Sequence, residues 1–139
     1  MGATAVNLLV NIDVPDLEAA IEFYRDAFGF VLARRLGLGV AELTGGPAPL
    51  YLMEKPAGSF GAGDDRRRYT RHWTPVHLDL VVDEIDLALA RAVEAGATLE
   101  SPVGVAAWGK FAVLADPFGH GFCLIQLLGR GYGELEGTG

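Results

Sequence analysis

Residues 8–30 read LLVNIDVPDLEAAIEFYRDAFGF, and residues 76–97 read VHLDLVVDEIDLALARAVEAGA. Each stretch is an apolar run, a turn of acids, an Ala-rich segment and a Gly. A shift of 68 residues places Val10, Ile12, Val14 and Leu17 on Leu78, Leu80, Val82 and Ile85. The same shift puts Asp16 on Glu84 and Ala20 on Ala88, and Gly29 meets Gly96 after one gap. An internal repeat constrains the fold more than any local propensity, because both copies must build the same supersecondary unit.

Each copy opens on a strand pattern. Leu8, Val10, Ile12 and Val14 alternate with Leu9, Asn11 and Asp13, while Leu78, Leu80 and Val82 alternate with His77, Asp79 and Val81. Period two predicts strands with one packed face and one more polar face. Pro15 suits a turn, and Asp16 suits the N-cap of the helix that follows. Leu17, Ala20, Ile21, Tyr24 and Phe28 recur at helical spacing and stop at Gly29. Ile85, Leu89, Ala92 and Val93 repeat that stripe and stop at Gly96.

Three strand-like pieces follow each helix: FVLARRLG, GVAELTGG and PLYLMEK in the first copy, then ATLESPV, KFAVLADP and GFCLIQLL in the second. Gly45-Gly46 and the DPFG stretch at 116–119 are turn signals. The predicted fold is α+β, a tandem pair of βαβββ modules over residues 1–54 and 75–128. Residues 55–74, rich in Gly and charge, read as a linker or flap. Residues 129–139 read as a flexible tail.

Composition narrows the class of partner. The formal net charge of −7 argues against nucleic acid, whose phosphates need a basic surface, and suits a neutral or cationic small molecule. Cys123 is the single cysteine, so no intrachain disulfide forms, which fits a reducing cytoplasm. The N-terminal stretch lacks a basic segment, and Asn7, Asn11 and Asp13 break its apolar run, so it does not read as a signal peptide. No stretch approaches the roughly 18 apolar residues of a membrane span.

VPDLEAAIEFYRDAFGF in the first module, with HLDLVVDEIDLALARAVEAGA and ADPFGHGFCLIQL in the second, resembles the vicinal oxygen chelate superfamily. Its members include glyoxalases, bleomycin-resistance proteins, fosfomycin-modifying enzymes and extradiol dioxygenases. The resemblance implies curved mixed sheets around a cleft. It implies metal ligands, usually His, Glu or Gln, on inward positions of the first and last strand of each module. Metal-free members use the cleft to bind a drug or other organic molecule. It also implies a homodimer, and two-fold dimers are the commonest assembly in general.

Carried onto this chain, the metal positions are Leu9, Tyr51, His77 and Cys123, the last in DPFGHGFC where the family places Glu. Leu9 has no donor atom, and a phenol such as Tyr51 ligates poorly unless ionised near pH 10. An open zinc site takes about three protein ligands. His77 is one, Cys123 is a soft second, and Asp79, His72 or His120 are candidates for a third. His77 also reads as a pocket histidine bonded to Asp79, Tyr51 or a ligand. Cys123 reads as a small buried hydrophobe, or as a nucleophile with His77 as its base. His120 reads as part of a turn.

The cleft residues expected from this pattern are Asn11, Tyr51, Met53, His77, Asp79, Cys123 and Ile125, with Trp73 and Trp108 at the rim. Arg66, Arg67, Arg68 and Arg71 form the basic run, either a clamp for an anion or a solvated segment paired with Asp64 and Asp65. The function expected is binding of a small organic ligand without the inherited metal or any other cofactor. The alternative is a metal-dependent lyase, isomerase or dioxygenase, such as a lactoylglutathione-lyase-like enzyme, with a divalent metal on a reworked ligand set around His77. A pure interaction module is the third class.

Overall fold

The computed structural model describes residues 5–137. The chain divides into two compact units, Met1–Arg25 with Gly29–Arg68, and Asp26–Phe28 with Tyr69–Gly139. The start of the N-terminal stretch, residues 1–4, and the last two residues of the tail lie outside the described residues. Among the described residues no helix is long and apolar enough to cross a membrane.

The first module runs β1 (Val10–Val14), α1 (Leu17–Phe28), β2 (Val31–Leu36), β3 (Val40–Thr44) and β4 (Leu50–Glu54). Its sheet has the order β1-β4-β3-β2, with β1 parallel to β4 and the other pairs antiparallel. Asp16 sits in extended backbone before α1, and its Oδ1 accepts from Ala19 N at 3.1 Å. Gly29 ends the helix at φ 76°, a left-handed conformation that glycine adopts without strain. α1 buries Leu17, Ala20, Ile21, Phe23, Tyr24 and Ala27. Segment 55–74, expected as a linker, carries a hairpin of β5 (Phe60–Ala62) and β6 (Asp65–Arg66).

The second unit runs β7 (Leu78–Val81), α2 (Ile85–Ala95), β8 (Thr98–Leu99), β9 (Gly104–Ala106), β10 (Gly109–Ala115) and β11 (Gly121–Leu127). Its sheet has the order β7-β11-β10-β8, with β9 on β10 and β7 parallel to β11. Helix α2 packs on β10 and β11. A turn fixed by Asp116 joins β10 to β11: its buried Oδ1 accepts from Phe118 N at 2.8 Å and His120 N at 2.9 Å. Gly119 in that turn has φ 88°, and a Cβ there would stand 2.1 Å from Tyr69 O.

The repeat holds down to strand register. In the first sheet Asn11 pairs with Tyr51, and in the second Asp79 pairs with Cys123. One capping device also recurs. Glu54 Oε2, at the end of β4, accepts from Leu17 N at 2.8 Å. Gln126 Oε1, near the end of β11, accepts from Ile85 N at 2.9 Å. Each module's last strand thus satisfies a donor at the start of its own helix, one of those the helix cannot satisfy itself.

Several elements depart from the sequence expectation. β1 begins at Val10 because its partner β4 begins at Leu50 opposite, so Leu8 and Leu9 precede the strand and stay exposed. In the second copy the first strand expected after the helix, ATLESPV, shrinks to Thr98–Leu99, and β9 adds a hairpin onto β10. Glu84 precedes α2 without a side-chain cap, and Val93 of the expected buried stripe is exposed, leaving Ile85 and Ala92 as the fully buried residues of that helix. The tail carries a 3₁₀ helix over Gly131–Leu135.

Candidate functional site

The chemistry in the second unit collects on the sheet face opposite α2. Side chains alternate along β11, and Gln126 marks the α2 side through its bond to Ile85. Cys123 and Ile125 therefore point the other way. Register brings Asp79 and Val81 of β7 and Val113 and Phe111 of β10 beside them, because directly paired residues share a face. His77, one residue before β7, reaches back so that Nε2 lies 3.1 Å from Asp79 Oδ1. The donor atoms of His77, Asp79 and Cys123 lie within 4.8 Å of one another. Burial pushes the Cys123 thiol up, and the charge and hydrogen bond of Asp79, with the more remote charge of Glu100, push it further. The thiol is thus held protonated near neutral pH, which disfavours the nucleophile reading of Cys123.

Each end of this face has its own anchor. Arg71 lies over Gly121, where a Cβ would come within 2.3 Å of a guanidinium nitrogen. Its Nε and Nη2 donate to Glu100 Oε2 and Oε1 at 2.8 and 3.0 Å, a two-pronged pair. At the other end the Phe111 ring covers Gly104, where a Cβ would lie 2.4 Å from the ring. Trp108 stacks on Phe111 with centroids 5.4 Å apart, and Tyr132 packs against Trp108 at 5.0 Å. Phe111 was missed in the sequence, although the alternation of KFAVLADP and its pairing with Ile125 put it on this face. Tyr132 was missed too, because nothing local in the tail tells of a distant tryptophan.

In the first unit Asn11, Tyr51 and Met53 share the corresponding face, with Met53 in register with Asp13. The Tyr51 hydroxyl donates a short hydrogen bond to Glu42, and Arg34 donates to the same carboxylate from Nε at 2.9 Å and Nη2 at 3.3 Å. The Glu42 carboxylate holds the Tyr51 phenol above its ordinary range, and Arg34 followed by Tyr51 holds Glu42 below its own. Asp13 pairs with Arg67 Nε at 2.7 Å.

The rest of the basic run is engaged as well. Arg66 donates to Gly58 O at 2.8 Å and lies over the Phe60 ring, while Arg68 pairs with Asp65 at 3.3 Å. These in-chain partners favour the structural reading of the run over an anion clamp. Trp73 is 78% exposed. His72 Nδ1 lies 2.9 Å from Thr70 O, and His120 lies in the Asp116 turn with its ring 6.1 Å from that of Tyr69.

The residues present do not fit the metal set that the resemblance implies. Leu9 offers no donor, and the Tyr51 phenol is held protonated by Glu42. The donors that do converge, His77, Asp79 and Cys123, all belong to the second module.

A glyoxalase-like domain family model matches residues 9–125. An uncharacterized protein of Mycobacterium bovis is 30% identical over 121 residues, covering 84% of this chain and 80% of that protein. Among solved structures, a glyoxalase/bleomycin resistance protein/dioxygenase family enzyme from Burkholderia phytofirmans is 25% identical with a TM-score of 0.68, covering 86% of this chain and 97% of its own. TnmS3, an antibiotic binding protein from Streptomyces sp. CB03234, is 26% identical with a TM-score of 0.61, covering 91% of this chain and all of its own. With the tandem modules and their matched registers, these likenesses place the chain in the glyoxalase-like domain family of the vicinal oxygen chelate superfamily.

Proposed function

We propose that this chain binds a small organic molecule on the face of its second sheet opposite α2, without the metal set implied by the superfamily. One observation carries the reading: Trp108 stacked on Phe111 stands at one end of a face that continues through Ile125, Val113 and Cys123 to Asp79 and His77. A flat aromatic platform beside a few convergent polar groups is the usual make-up of a small-molecule site. TnmS3, an antibiotic binding protein, supports the same class of ligand. Asp79 and the net charge of −7 favour a neutral or cationic aromatic compound. The free Cys123 suits a reducing compartment such as the cytoplasm.

Isothermal titration against a panel of cationic glycopeptides and small aromatics, with chelator present, tests the reading. A saturable binder that Trp108→Ala weakens at least tenfold is expected. No binder above background in any class would overturn it. A second reading, a metal-dependent lyase, isomerase or dioxygenase, is favoured by the converging donors of His77, Asp79 and Cys123. Turnover by metal-loaded protein that is lost in His77→Ala would move the conclusion to it.

The reading includes a homodimer, the usual closed assembly. Sedimentation velocity should show a species of twice the chain mass, and a single species at the chain mass at high concentration would contradict it.

A further inference from the structure

We infer that Arg71 selects the ligand of this face: an elongated aromatic molecule with an uncharged acceptor oxygen, the carbonyl of a ketone, ester or amide, about 13 Å from its ring system. This rests on the reading that the second sheet binds an organic molecule, and it names the chemical class. Strand register orders the face in rows. Val81, Ile125, Phe111 and Gly104 form the aromatic row, where the Phe111 ring covers Gly104 and stacks on Trp108. Asp79, Cys123 and Val113 form the next, and Glu100 joins its edge by donating its backbone N–H to Val113 O at 2.8 Å. The row beyond holds Gly121 paired with Ala115. A side chain at Gly121 would point the same way as those of Cys123 and Ile125, and its Cβ would lie 2.3 Å from Arg71 Nη2 and 2.7 Å from Cζ. The guanidinium therefore stands on the ligand side of the sheet, in the space the missing side chain leaves.

Arg71 is held ready to donate. The Tyr69 carbonyl and Arg71 N stand 2.1 and 3.2 Å from where a Cβ at Gly119 would be, so its backbone is pressed on the Asp116 turn. Nε and Nη2 grip the Glu100 carboxylate at 2.8 and 3.0 Å, and Nη1 donates to His72 O. A guanidinium has five N–H groups, so one on each Nη is left, and among the described residues neither has an acceptor. The remaining Nη2 hydrogen points away from Glu100, toward the edge shared with Nη1, as the planar fork requires. Charge selects the acceptor. Glu100 already offsets the guanidinium, and the Asp79 carboxylate lies one row away on β7, so a ligand carboxylate would meet net negative charge while a carbonyl oxygen would not. Between Arg71 and the aromatic row the floor is Cys123 and Val113, which suits an apolar spacer. Gly121 and Ile125 are four residues apart on β11, which at roughly 3.3 Å per residue sets the spacing of about 13 Å.

Isothermal titration of the full chain with matched probes, chelator present, tests the inference. Each probe is a naphthyl ring on an alkyl chain of about 13 Å, ending in a primary carboxamide, in an isopropyl group of similar shape without an acceptor, or in a carboxylate. Wild type should bind the carboxamide about tenfold more tightly than the isopropyl probe, and more tightly than the carboxylate. In Arg71→Gln the carboxamide preference over isopropyl should fall to about twofold. In Glu100→Gln, where the guanidinium charge is no longer offset, the carboxylate should overtake the carboxamide. A carboxamide preference that survives Arg71→Gln would overturn the inference, and so would equal binding of the carboxamide and isopropyl probes by wild type. Failure of the carboxamide to bind at all would overturn it too. If Arg71→Gln does not fold, Glu100→Gln decides, and an unchanged order of carboxamide and carboxylate there would count as overturning. Equal binding of all three probes would remove the role of Arg71 and leave an organic ligand on the face, whereas a panel screen with no binder removes the ligand itself.

Discussion

At Cys123 the environment opposes ionisation. Burial acts first and the Asp79 carboxylate second, so the folded thiol titrates above its unfolded value. The thiol therefore adds stability that is whole below the ordinary thiol range and is lost as pH rises through the folded value. Metal-free protein should react slowly with iodoacetamide near neutral pH, and Asp79→Asn should speed alkylation several-fold. An unchanged rate in that variant would show that Asp79 does not govern the thiol. Tyr51 makes a parallel case. Glu42 raises its phenol, so ultraviolet titration should find its midpoint above that of free tyrosine, and Glu42→Gln should bring it down. Which residues share a face of each opening strand followed from period-two alternation, while the last-strand positions Tyr51 and Cys123 came with the resemblance. Their partners did not, because the bonds from Glu42 to Tyr51 and from Arg67 to Asp13 join positions whose separation carries no period.

Among elements, the two helices were legible and the irregular strands were not. Asp16, Gly29 and Gly96 are local signals, and the structure ends both helices where those residues stand. β9 depends instead on a cross-strand fact, the Phe111 ring lying where a side chain at Gly104, its register partner, would be. The caps supplied by Glu54 and Gln126 were also out of reach, because each spans the whole length of a module. Glu54→Ala and Gln126→Leu should each cost about 1 kcal/mol in denaturant unfolding, the usual cost of losing a helix cap. A loss shared by both copies would show one device used twice. Gly119→Ala should cost more, about 2–3 kcal/mol, since it meets both a positive φ and the Tyr69 carbonyl.

For the whole molecule, duplication left two sheets with matched registers and unlike chemistry. The first uses its open face for an arginine–glutamate–tyrosine chain and an Asp13–Arg67 pair. The second keeps an aromatic end and a polar end. Amide chemical-shift mapping, with chelator and a saturating aromatic cation chosen from the binding screen, tests the claim that this second face takes the ligand. The account predicts that the largest shifts fall on Asp79, Phe111, Val113, Cys123 and Ile125, and that Trp108→Ala raises the ligand concentration needed to produce them at least tenfold. Shifts confined to the helix side of that sheet, around Ile85 and Gln126, would contradict it.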